Sequence, residues 1–109
     1  MTDLETVEIE IEEANKLRAI RDNCAMLINS QPYKDVIEEG YFKVEAARLC
    51  MAKSSNLDEA QMRNIDGMML GIGGLANFID MVMRRGSAMD KQIEECEETR
   101  AEILALEVV

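Results

Sequence analysis

Three cysteines, Cys24, Cys50 and Cys96, are the only thiols on a chain that contains no histidine. A thiol becomes a nucleophile when a neighbouring base or positive charge holds it as the thiolate, and imidazole is the usual partner. Without histidine the commonest general base, the commonest nucleophile activator and the commonest zinc ligand are missing together. An enzyme would need Cys24 or Cys50 to be activated, and neither has a visible base. Each cysteine falls instead on the apolar side of a predicted helix, where it packs as a small hydrophobe. An odd number at wide spacing fits reduced thiols in a reducing compartment better than a disulfide framework.

Carboxylates are the other reactive groups in number. Glu12/Glu13, Glu38/Glu39, Glu94/Glu95 and Glu97/Glu98 are adjacent pairs, and adjacent residues on a helix do not face each other, so none is a catalytic dyad as written. Carboxylate metal centres in helical bundles add histidine from a Glu-x-x-His pair, which this chain cannot supply. Gly71-Ile72-Gly73-Gly74 follows no strand and precedes no Gly-Lys-Ser/Thr, so it is a poor phosphate loop. No catalytic residue, metal ligand or cofactor is therefore expected.

The elements that would carry these side chains read as helices. From about Thr2 to Asn29, Leu4, Val7, Ile11, Ala14, Leu17, Ile20, Cys24 and Leu27 recur at steps of three and four. Val7, Ile9 and Ile11 also alternate with Glu8, Glu10 and Glu12 as a half-buried strand would. Helix is favoured because the alternation is short and no Gly or Pro interrupts the segment. Residues 1–12 are open to fraying until a partner arrives. Pro32 excludes its predecessor from the helical region and can open a short helix, Pro32 to Glu39, that Gly40 stops. Tyr33, Tyr41 and Phe42 make a packing anchor, and a further helix, about Lys43 to Ala52, carries Val44, Ala47, Leu49 and Cys50. Lys53 to Asn56 reads as a loop in which Ser55 or Asn56 caps the next helix.

From Leu57 the row Met62, Ile65, Met69, Ile72, Leu75, Ile79 and Val82 is the strongest helix signal. Gly86 and Ser87 could break it, but Gly86, Met89, Ile93, Cys96, Arg100 and Ile103 continue the phase without a slip. One long helix to about Leu106, bent at Gly86 if anywhere, is favoured over a turn. It would run roughly 75 Å at ~1.5 Å per residue. The fold class is thus all-α, a helical hairpin or small bundle of three to five helices with a long C-terminal helix, in a single domain over residues 1–109.

Two features of the long helix suggest contacts outside the chain. Gly67, Gly71 and Gly74 share one side, where each glycine costs roughly 1 kcal/mol against alanine, and small residues in such rows let a second helix approach. Packing against the chain's own first helix is the competing explanation. Met68, Met81 and Met89 belong to a methionine set that cannot all face one core, and methionine adapts to partner surfaces. Gly67, Gly71, Gly74, Met68, Met81 and Met89 are the candidate protein interface, with filling of an aromatic-poor core as the plainer alternative for the methionines.

Charge narrows the partners. The net charge of −10 is concentrated at the ends: residues 1–13 hold six acids and no base, residues 90–109 hold seven acids against Lys91 and Arg100, and residues 14–89 hold ten bases and nine acids. Phosphate binding needs a clustered basic excess, so nucleic acid is a poor partner. The weakly charged stretch Gly67 to Ile79 is short of the roughly 20 residues that span a bilayer, and no membrane partner is expected. Nothing near Met1 reads as a signal peptide, which places the protein in the cytoplasm. The acidic ends would also suit an inhibitor that imitates DNA.

Pro32-Tyr33-Lys34-Asp35-Val36-Ile37, Gly40-Tyr41-Phe42, Glu45-Ala46-Ala47-Arg48-Leu49 and Gly71-Ile72-Gly73-Gly74-Leu75, followed by an acidic C-terminal helix, resemble small helical proteins of tailed bacteriophages over roughly residues 20 to 105. The resemblance implies a virion or assembly-associated protein, such as a head, tail or connector accessory. It would bind a larger phage structural protein and pass from the host cytoplasm to the virion; homo-oligomers are expected on the separate ground that the rest of the chain could not cover so long a helix. It transfers no catalytic residue.

Overall fold

The computed structural model describes residues 2–108; Met1 and Val109 lie outside them. The chain is all-helical, with α1 (Asp3–Ile28), α2 (Gln31–Tyr33), a π-helical segment π1 (Lys34–Glu45), α3 (Ala46–Ala52) and a long C-terminal α4 (Glu59–Val108). Among the described residues there is no strand.

Each start has a local cause. Thr2 and Glu5 form a capping box: the Glu5 amide donates to Thr2 Oγ1 at 3.1 Å, and the Thr2 amide donates to Glu5 Oε2 at 3.1 Å. The alternating Val7–Glu12 run is therefore helical, and its apolar members separate: Val7 and Ile11 are buried while Ile9 is exposed. Ser30 ends α1 and starts α2. Its hydroxyl donates to the Leu27 carbonyl at 2.6 Å and accepts from the Tyr33 amide at 3.3 Å, with Pro32 in the first turn.

Gly40 does not stop a helix. Residues 31–52 are helical without interruption, and Gly40 sits inside the i→i+5 turns of π1, where a Cβ would lie 3.4 Å from the Asp35 carbonyl oxygen. The α4 cap also differs from expectation. The Gln61 amide donates to Asp58 Oδ1 at 2.8 Å and the Asp58 amide to Gln61 Oε1 at 3.0 Å, so Asp58 and Gln61, not Ser55 or Asn56, form the box, and the helix begins at Glu59 rather than Leu57. Gly86 is not a turn, because α4 runs unbroken from Glu59 to Val108.

The chain divides into two compact units, Met1–Ala25 with Met81–Val109, and Met26–Asp80. In the first, α1 and α4 pair antiparallel: Arg21 meets Asp90, while Glu10 meets Cys96. Val7, Ile11 and Cys96 form its buried seam, with Ile103 against it. In the second, residues 31–52 lie antiparallel to the start of α4. Tyr41 faces Gly71, Lys53 Nζ reaches Asp66 Oδ1 at 2.7 Å, and Leu49 is its most deeply buried side chain at 1% exposure.

Candidate protein-docking face

The row from Met62 to Ile103 marks the covered side of α4: every member is buried or half-buried. The other side is bare. Within the unit Met26–Asp80, Gly67, Leu70, Gly74 and Phe78 recur at steps of three and four and all are exposed. Leu70 is 76% and Phe78 56% exposed. A Cβ added at Gly67, Gly73 or Gly74 would meet nothing within 4 Å. Beside them, Lys53, Asp66, Met69, Leu70, Gly73 and Asn77 line a shallow open groove.

The six interface candidates do not act as one group. Gly67 and Gly74 lie on the bare side, while Met81 is exposed in the other unit. Gly71 turns toward π1, its Cβ position 3.5 Å from Tyr41 Oη, so its close approach is made within the chain, to π1 rather than to α1. Met68 is exposed but one residue round the helix from Gly67, and Met89 is half-buried in the other unit. Leu70, Gly73, Asn77 and Phe78 were not anticipated. Their signal was the same three-and-four spacing, which becomes legible once the covered side is known.

The aromatic anchor is present: Tyr33, Tyr41 and Phe42 are half-buried, and the Tyr41 and Phe42 rings lie 6.0 Å apart. Tyr33 and Phe42 border a hollow with Ile28 and Ile79.

The cysteines occupy three environments. Cys96 is buried and donates to Glu10 Oε2 at 3.6 Å; burial, and then this carboxylate, push its thiol pKa up, away from the thiolate a nucleophile needs. Cys24 is half-buried. Cys50 is exposed, which corrects its assignment to an apolar side, because Leu49 takes the inward position and turns its neighbour out. Among the described residues no three of Cys, Asp and Glu gather as metal ligands.

Electrostatically the first unit is the acidic one. Residues 1–13 and 90–109 together hold thirteen acids against two bases, and pairing of α1 with α4 sets these segments side by side. Between the two helices, Arg18 Nε and Arg21 Nη1 reach the two Asp90 oxygens at 3.1 and 2.8 Å. The hydrogen bond from Arg21 holds the Asp90 carboxyl below the usual carboxylate range.

By length and composition α4 could also cross a bilayer. It contains an 18-residue window of mean hydropathy 1.3, with at most two charged residues and 11% of it buried. That window is longer than the uncharged run Gly67 to Ile79. Asp66 and Asp80 bracket the run. Compared with known proteins, the chain matches no family, no curated sequence and no solved structure.

Proposed function

We propose that this protein is a non-enzymatic structural or assembly accessory that self-associates and docks on a larger protein through the bare side of α4. The observation that carries the reading is the imbalance of apolar surface. Thirteen large hydrophobic side chains are exposed among the described residues, against seven buried hydrophobics. Two of them, Leu70 and Phe78, lie on one helix side with Gly67 and Gly74 within the unit Met26–Asp80. Exposed apolar patches of this kind mark interaction surfaces on soluble proteins. The bundle of three to five helices expected from the sequence would then be completed by a second chain rather than within one. On the resemblance to small helical proteins of tailed bacteriophages, the larger partner would be a virion protein, with the host cytoplasm as the place of assembly. Light scattering over a concentration series tests the reading: mass should rise with concentration, and a strict monomer with no binding of a hydrophobic dye would overturn it.

A second reading draws on the acidic unit. Two antiparallel helices dense in carboxylates could imitate a DNA backbone and block a nucleic-acid-binding enzyme of a host. The near-neutral remainder opposes it. Salt separates the two readings, since capture by mimicry should fall steeply with ionic strength whereas apolar docking should not.

A further inference from the structure

We infer that the α1–α4 pair of the first unit is fastened at its Asp90 end and opens reversibly from its acidic end, residues 3–13 parting from residues 93–107, with ionic strength setting the open fraction. The opening is internal to one chain and does not depend on the docking proposed above.

The two ends of the pair are held differently. At one, Gly86 brings the helices close beside Arg21, and Arg18 and Arg21 both reach Asp90 across the pair. At the other, six acids in residues 3–13 lie alongside six in residues 93–107, with Arg100 as the only base. All twelve of these acidic residues are exposed. Neighbouring cations serve their own helix: Lys16 pairs with Glu12 and Glu13 on α1, and Lys91 with Glu95 on α4. Among the described residues no ion pair joins the two helices along this stretch. Like charges share a groove instead. Glu10 and Glu95 both border it beside Cys96.

What holds the acidic end shut is a thin seam. Val7, Ile11 and Cys96 form it with Ile103 against them, and Ile93 is buried on the same helix as Cys96. Packed helices lie about 8–10 Å apart. At about 10 mM salt the Debye length is roughly 30 Å, so the carboxylates of one helix repel those of the other almost unscreened. At about 150 mM it falls to roughly 8 Å and much of that repulsion is lost. Charge of one sign loosens a compact pair, and opening one end costs less than unfolding the whole. Low salt acts the other way on the Asp90 end, where opposite charges attract. Ionic strength therefore biases one end of the pair and not the other.

Cys96 reads out the opening, because it is buried in the seam and a neutral reagent reaches it only when the end parts. Iodoacetamide labelling of the dilute, native full chain, followed by mass spectrometry at one pH, should modify Cys96 about threefold or more faster at about 10 mM than at about 150 mM sodium chloride. Cys50, in the other unit, corrects for the reagent, and Cys24, just beyond Arg21, should not share the gain. The effect of Glu10 and Glu95 on the thiol runs against this result, since both carboxylates disfavour the thiolate and do so more strongly at low salt. Glu95→Lys, which sets a cation beside Glu10, should abolish most of the difference. Glu38→Lys, the same change of charge in the other unit, should leave it intact. Hydrogen exchange of residues 7–14 should follow the Cys96 rates while that of residues 62–79 stays constant. A Cys96 rate that ignores salt or rises with it overturns the inference, as does a Cys96 that stays unlabelled at both salts. An equal effect from Glu38→Lys also overturns it, by making net charge rather than the facing helices the cause.

Discussion

Arg21 lies directly across Gly86. A methyl group on Gly86 would fall 2.1 Å from Arg21 Cβ and 2.6 Å from its Cγ. These are the stiff, backbone-proximal atoms of the arginine, so they cannot swing aside as its guanidinium could. The glycine is therefore where α1 and α4 come into near-backbone contact, which explains why it persists inside a long helix despite its low propensity.

Gly86→Ala should accordingly destabilise the protein although alanine is the better helix former. Overpacking of this sort costs about 1–3 kcal/mol, against roughly 1 kcal/mol regained from propensity, and the larger Gly86→Leu should be worse. Urea denaturation of the two variants checks this. Equal or greater stability in Gly86→Ala would mean that the helices do not meet at this point.

Beside this crossing, Asp90 is held by Arg21 at 2.8 Å and by Arg18 at 3.1 Å. Its folded carboxyl titrates below the unfolded one, chiefly through the Arg21 hydrogen bond, so its contribution is present above the ordinary carboxylate range and is lost as pH falls through the folded value. Asp90→Asn should melt below the parent at neutral pH, and the two melting curves should converge in acid. Asp90 is half-exposed, so the neutral-pH difference should also shrink in high salt. A difference that stays constant across pH would remove the ion pair as its cause.

Much of this architecture is written in the periodicity of α4. The three-and-four row from Met62 to Ile103 passes through Gly86 in phase, and each of its residues faces inward. Local rules were weaker guides. Gly40 reads as a stop, yet the wider turns of π1 absorb it, and no residue type announces i→i+5 bonding. The α1 row fails at Ile20 and Leu27, 52% and 57% exposed; at the first, Arg21 takes the seam beside Gly86. At the candidate face, Met68 and Met89 stand out by residue type, whereas the bare side is defined by phase relative to residues 31–52. That relation requires the packing to be known, and it is why spacing alone does not mark Leu70 and Phe78.

The three thiols should react in order of exposure. Cys50 is exposed, Cys24 half-buried, and Cys96 buried with its pKa raised by desolvation and by Glu10. Because the thiolate is the reactive form, iodoacetamide followed by mass spectrometry should label Cys50 first and Cys96 only on unfolding. Early labelling of Cys96 would show that the Val7–Ile11–Cys96 seam opens readily.

The open glycines give a test in which stability and association move in opposite directions. Gly73 and Gly74 have no neighbour within 4 Å of an added Cβ, so Gly73→Ala and Gly74→Ala should each stabilise the isolated chain by about 0.5–1 kcal/mol, the helix-propensity difference. If the bare side receives another helix, the same methyl groups fill the notch on which that approach depends, and the self-association constant should fall. Gly71→Ala is the internal control, since its methyl would rest at an ordinary 3.5 Å from Tyr41 Oη. Denaturation of dilute protein gives the first quantity and sedimentation the second. A rise in stability with unchanged association would mean that these glycines answer to no partner at all, because nothing within the chain itself requires them.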